Sequence, residues 1–184
     1  MVGFMRYSLV PLLVLVGFLL AGCSDSGDLA ETPGGPEPVT MTWDGLIPEG
    51  YEFADPLEGM DVSGYADDDP EAIALLEKLR ASWADTPVIE ALDGERIRIG
   101  GFIVPLEGDG THISEFLLVP YYGACIHVPP PPPNQVVHVT MAEPGLAAGL
   151  FDAVWLTGTL RAQRSSSELA DAGYSMRPDR VEAF

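Results

Sequence analysis

The chain has 184 residues, 28 acidic against 9 basic side chains, a formal net charge of −19 and a hydrophobic share of 47%. The length suits one domain of ordinary size with a tail. The surplus of carboxylate excludes a nucleic-acid binder that works through a basic face, and two cysteines exclude a disulfide-stapled miniprotein.

Residues 1–22 read as an export signal. Arg6 supplies a positive charge, Leu9 to Leu20 an apolar run, and Ala21-Gly22 the small residues before Cys23. The run is shorter than the roughly 20 residues of a membrane-spanning helix. Leu20-Ala21-Gly22-Cys23 resembles the bacterial lipobox, which implies cleavage before Cys23 and lipidation of its thiol. The mature chain is then expected to be exported and lipid-anchored to a bacterial membrane facing the periplasm. Ser24 after the cysteine favours the outer membrane over the inner one. An uncleaved anchor or soluble export is the alternative. Removal of the signal leaves 162 residues of net charge −20, with Cys125 the one thiol not committed to lipid.

Residues 23–40 are Gly, Pro, Ser and acid with almost nothing to bury, and predict a disordered acidic tether. Residues 41–92 predict an irregular arm, with Trp43, Leu46, Ile47, Tyr51, Phe53 and Leu57 as anchors, followed by a helix over 70–83. Asp69-Pro70-Glu71 provides a capping carboxylate, a first-turn proline and an acid at the positive end of the helix dipole. Ala72, Leu75, Leu76, Leu79 and Trp83 then recur at helical spacing, a stripe expected to face a core.

Over residues 93–184 the period changes to alternation. Strands are predicted at 96–104, 116–119, 135–140, 153–160 and 174–182. Gly100-Gly101 suggests a bulge or sharp bend in the first, and Pro178 an edge or interruption in the last. This pattern predicts a mainly β fold with one helix: a small five-stranded barrel of the oligonucleotide/oligosaccharide-binding type preceded by an amphipathic helix. An open antiparallel sheet packed on the helix is the alternative. Six arginines (Arg96, Arg98, Arg161, Arg164, Arg177, Arg180) fall in this region, and salt bridges to nearby acids are their expected use rather than a basic patch.

Chemistry concentrates between the second and third strands. Tyr121-Tyr122-Gly123-Ala124-Cys125-Ile126-His127-Val128 runs into five prolines, Pro129–Pro133, and then Asn134-Gln135. The prolines dictate a stiff, extended geometry without backbone donors. In an extended backbone Cys125 and His127 point to one side. A thiol and an imidazole so placed suit zinc or copper, or a nucleophile with its base. Burial of the thiol for packing, or a partner-docking role, is the third reading. His138 is a further metal-ligand candidate that shares a strand face with Val136 and Thr140, whereas His112 reads as surface. The spacing matches no established zinc motif. Asn134 is a candidate to orient the imidazole of a catalytic pair, and no catalytic residue is assigned.

The run Tyr121 to Gln135 resembles the hallmark of a bacterial family of exported lipoproteins, domain of unknown function 3299. So do Trp43-Asp44-Gly45-Leu46-Ile47-Pro48, Gly100-Gly101-Phe102-Ile103-Val104-Pro105-Leu106 and Val154-Trp155-Leu156-Thr157-Gly158. The resemblance covers nearly all of the mature domain. It implies an accessory role, because members are often encoded beside ABC-type export systems, sometimes in loci linked to zinc supply. It transfers no catalytic residue.

These readings lead to a periplasmic lipoprotein that acts as an accessory or binding component. It would serve a transition metal (zinc or copper) or an ABC-type transport system through the Cys125/His127 polyproline loop. Tyr121, Tyr122, Asn134 and Gln135 are the partner-docking candidates. An enzyme with a Cys125–His127 nucleophilic pair and a purely structural or docking lipoprotein are the alternatives. The charge is uneven: residues 23–95 carry −17 and residues 96–184 only −3, so acidity belongs to the tether and arm more than to the barrel.

Overall fold

The alternation that begins at Arg96 builds one long strand whose inward side chains are Ile97, Ile99 and Ile103, all fully buried. The computed structural model describes residues 36–53, 59, 64, 69–126, 128–142 and 145–184. Residues 1–35, with the signal, Cys23 and most of the tether, lie outside the described residues, as do Leu57 and His127. Among the described residues no helix is long and apolar enough to cross a membrane.

The elements in chain order are β1 (Val39–Thr40), α1 (Pro70–Trp83), β2 (Arg96–Gly108), β3 (Ile113–Val119), β4 (Val137–Thr140), β5 (Ala153–Arg161), β6 (Ser165–Ser166), β7 (Asp171–Ala172) and β8 (Tyr174–Ala183). The sheet order is β1-β2-β3-β4-β8-β5, and β2 also pairs with β5. That last pairing closes a five-stranded barrel, so the open sheet is not the fold. β4 and β8 run parallel, β2–β3, β3–β4, β2–β5 and β5–β8 antiparallel. The predicted tether shortens by its last residues, because Val39 and Thr40 pair in parallel with Ile97 and Arg98.

β2 is long because it serves two partners. Arg96–Phe102 pairs with Thr159–Ala153 of β5, and Phe102–Gly108 pairs with Val119–Ile113 of β3. The Gly100-Gly101 pair is not a bulge. Its register against Trp155 and Val154 is unbroken, and the irregularity falls instead between Pro105 and Gly108. The glycines allow close approach: a Cβ on Gly101 would lie 2.7 Å from the Val119 carbonyl oxygen and 3.0 Å from Trp43. Pro178 does mark an interruption, at the register shift between Thr157 and Gly158.

The barrel interior holds Ile99, Ile103, Phe116, Leu118, Leu156 and Tyr174, capped by Leu46 from the arm. A second cluster, missing from the predicted layout, lies outside it: Val104, Leu117, Val119, Ala124, Val136 and Phe151, with Ala170 and Ala172 from the β6–β7 region. α1 matches its predicted bounds, with Asp69 accepting from the Glu71 N–H at 2.8 Å. Leu79 is its one fully buried side chain, and Arg80 donates to the Leu169 carbonyl at 2.9 Å. Arg164 donates to the Ala84 carbonyl at 3.0 Å and also to that of Thr86, which ties the segment after α1 to the barrel. Arg164→Ala is expected to destabilise the domain by about 1–2 kcal/mol, since two bonds from a charged donor are lost; an unchanged urea midpoint would contradict this anchoring.

Four of the other arginines pair as expected: Arg96 with Asp179, Arg98 with Glu182 at 3.3 Å, Arg161 with Asp93 at 3.6 Å and Arg180 with Glu182 at 3.8 Å. Arg98 also lies 4.0 Å from the Trp155 ring centroid, and Trp155 stacks on Phe184.

Candidate functional site

The loop that leaves β3 turns back on itself at Gly123, whose φ is 85°. Its carbonyl accepts from the Ile126 N–H at 3.3 Å and the Val128 N–H at 3.2 Å. Cys125 adopts φ 68°, the left-handed region, at a cost of roughly 1–2 kcal/mol for a non-glycine residue. The extended backbone expected at Cys125 is therefore absent. The alternation that would put its thiol and residue 127 on one side does not apply.

Cys125 is a free, partly buried thiol packed against the second cluster. Burial pushes it up to about 11, against a weaker opposing pull from Arg80. A nucleophilic sulfur acts as the thiolate, the form that burial disfavours at Cys125. Two measurements follow from that shift. Alkylation of Cys125 by iodoacetamide in the folded chain is expected to accelerate with each pH step up to about 11; a plateau near the ordinary thiol value would contradict it. Between about pH 9 and pH 11 the unfolded chain sheds this proton while the folded chain keeps it, so stability falls as pH rises through that window.

The two tyrosines stand at the surface. Tyr122 is 66% exposed, yet its ring rests on Phe151 at 4.7 Å and edge-on to Phe102 at 6.0 Å. The Tyr121 hydroxyl donates to the Pro129 carbonyl at 3.4 Å. Burial, and after it the neighbouring Cys125, raises its phenol above the ordinary value. Ile126 and Val128 of the same loop are exposed, and Leu150, next to Phe151, is 51% exposed. Tyr121, Tyr122, Ile126 and Val128 thus give the proline-braced loop an exposed aromatic and aliphatic character, and Leu150 adjoins in sequence the Phe151 on which Tyr122 rests. Leu150 escaped the sequence reading. Its signal was an apolar pair, Leu150-Phe151, directly after the Gly145-Leu146-Ala147-Ala148-Gly149 stretch.

Asn134 and Gln135 turn inward. Asn134 is fully buried and donates from Nδ2 to the Pro87 carbonyl at 3.0 Å. Gln135 donates from Nε2 to the Trp43 carbonyl at 2.7 Å. Both amides hold distant backbone onto the end of the proline run.

His138 sits on β4 with Nε2 2.5 Å from Glu115 Oε1 of β3. Its expected face-mate Val136 is buried in the second cluster, while His138 and Thr140 face a groove. His112 is held in a turn by Asp109, whose carboxylate accepts from the backbone N–H groups of Thr111 and His112 at 2.8 and 2.7 Å. The Thr111 hydroxyl, then these amides, hold that carboxyl well below the usual range. Among the described residues no three His, Cys, Asp or Glu side chains gather as a metal site.

A family model described as "Protein of unknown function (DUF3299)" matches residues 43–183. The chain belongs to the DUF3299 family. A DUF3299 family protein from Pseudomonas aeruginosa PAO1, known by crystal structure, is 42% identical, with 80% of this chain and 97% of that chain covered at a TM-score of 0.63. A second solved structure, OBody AM3L09 bound to hen egg-white lysozyme, is 14% identical over 55% of this chain and 91% of that one, at a TM-score of 0.36. The chain matches no curated protein. The matched DUF3299 region holds the barrel, the arm from Trp43 onward and the whole aromatic loop.

Proposed function

We propose that this DUF3299 protein is a lipid-anchored, non-catalytic docking component of an ABC-type transport system, which meets a protein partner through the aromatic face of its proline-braced loop. The supporting observation is the exposure of Tyr121, Tyr122, Ile126 and Val128 on one loop, with Tyr122 resting on Phe102 and Phe151. Exposed apolar patches of this kind mark interaction sites, and tyrosines are favoured as anchors because they bring large contact area with little entropy to lose. The prolines stiffen the loop before binding, which lowers the ordering cost.

The lipobox-like run ending at Cys23 supports a module anchored to a bacterial membrane and facing the periplasm, the outer membrane being the favoured one. The partner is expected to present an apolar patch complementary to these aromatic and aliphatic side chains. The partial burial of Cys125 against the second cluster supports docking over a nucleophilic pair with His127. Zinc or copper binding through Cys125, His127 and His138 is the second reading, in which His138 would have to leave its present partner Glu115.

Hydroxyl-radical footprinting of the full chain tests the proposal. Tyr121, Tyr122 and Val128 are expected to be protected in native membranes and reactive after detergent purification, while the exposed Phe184 reacts equally in both. Equal reactivity of the loop in the two settings would overturn docking.

A further inference from the structure

We infer that the outer face of β4, β8 and β5 is a binding site for a sugar carrying a phosphate or carboxylate group. This site is independent of the docking loop and contains none of its residues. The strand register builds it. His138 of β4 pairs with Ser175 of β8, and Ser175 pairs in turn with Arg161 of β5. These three side chains therefore form one row across the sheet. In the next row Arg177 of β8 pairs with Thr159 of β5, and Thr140 lies two residues beyond His138 on β4.

Three strands span about 10 Å and two residues along a strand about 7 Å, an area that seats one or two sugar rings. The open groove over these rows has a volume of about 610 Å³, within the range of small-molecule sites.

The lining is chemically one-sided. No Asp or Glu is among the side chains that line it, in a chain with 28 acids. Hydroxyls of Thr140, Thr159 and Ser175 offer both donors and acceptors, which suits a hydroxylated ring. Arg177 is exposed and, alone among the six strand-region arginines, has no carboxylate or carbonyl partner among the described residues. Its planar fork matches an oxyanion bidentately. Arg161 is held only loosely by Asp93, at 3.6 Å between half-exposed side chains, and is free to re-pair. Glu115 fixes His138 from outside the groove. An acidic protein that gathers arginines and hydroxyls in one groove, and keeps Glu115 and Asp93 out of its lining, is built there for an anionic, hydroxylated ligand.

Titration calorimetry on the full chain, in a zwitterionic detergent free of sugar, tests this. The probes are glucose 1-phosphate, galacturonate, neutral methyl glucoside and inorganic phosphate. At least one charged sugar is expected to bind about tenfold tighter than methyl glucoside and than phosphate. Which of the two binds better tells a phosphosugar from a uronate ligand, and either result supports the site. Arg177→Gln is expected to lose about tenfold in affinity, and Arg177→Lys to regain only part of it, because the ammonium lacks the fork. Arg180→Gln, outside the groove, is expected to bind as the unaltered chain does. Absence of saturable binding, phosphate alone matching the charged sugars, or an unaffected Arg177→Gln variant would each overturn the inference.

Discussion

Gly101→Val is expected to destabilise the domain by about 3 kcal/mol, the upper end of what overpacking costs, whereas Gly100→Ala is expected to cost far less. The difference lies in what each new Cβ meets. At Gly101 it would lie 2.7 Å from the Val119 carbonyl oxygen, 2.8 Å from Leu118 Cγ and 3.0 Å from Trp43 Cζ2. The first of these is backbone of β3 and cannot move without breaking the ladder that β2 shares with it. At Gly100 the nearest atom, at 2.7 Å, belongs to the Phe184 ring, an exposed side chain at the end of the chain that has room to swing aside. Valine rather than alanine is used at Gly101 so that branching aggravates the contact. Chemical denaturation of both variants reads the effect directly. Equal midpoints for the two would show that the glycine pair serves flexibility and not close approach.

The second large effect is expected at Tyr174, where Tyr174→Phe removes about 2 kcal/mol while leaving the ring in place. The ring is fully buried in the barrel. Its hydroxyl donates to the Leu46 carbonyl at 2.9 Å and accepts from the Ile89 N–H at 2.7 Å. One oxygen thus joins the arm and the segment before β2 to the last strand. Phenylalanine strands both backbone groups, and amide exchange at Ile89 is expected to quicken. The pH dependence carries a distinct sign. Burial raises the phenol above its ordinary value near 10. Above that value the unfolded chain loses the proton while the folded chain retains it, so stability falls as pH rises. Subtracting the alkaline stability profile of Tyr174→Phe from that of the unaltered chain isolates this contribution from that of Cys125. A flat difference would contradict the buried, bonded hydroxyl.

What the sequence made legible was whatever depends on local period. The helix over 70–83 showed in its cap and stripe, and its bounds match α1. The barrel strands showed in their alternation, with ends shifted where pairing extends them: Ile113–Val119 starts three residues before its predicted start because Ile113 pairs with Gly108 across the turn. Long-range packing was hidden. Asn134 and Gln135, polar residues after a proline run, read as partner-docking candidates, yet they bond to Pro87 and Trp43, 47 and 92 positions away in the same chain. No local pattern announces such bonds. The Cys125 turn was hidden for a related reason: a non-glycine residue at φ 68° is held there by the bonds to Gly123 and by packing, against its own preference. Tyr121 and Tyr122 were legible as surface aromatics because they precede a segment that no strand or helix can absorb.

Docking through the aromatic loop is tested most directly by a photoreactive phenylalanine analogue at Val128 of the full chain, irradiated in native membranes. The expected result is a discrete adduct with one heterologous membrane transport protein, lost when Tyr121→Ser and Tyr122→Ser are combined and absent when the probe sits at Arg180. Adducts confined to lipid or to a second copy of this chain, or an adduct indifferent to the two tyrosines, would contradict it.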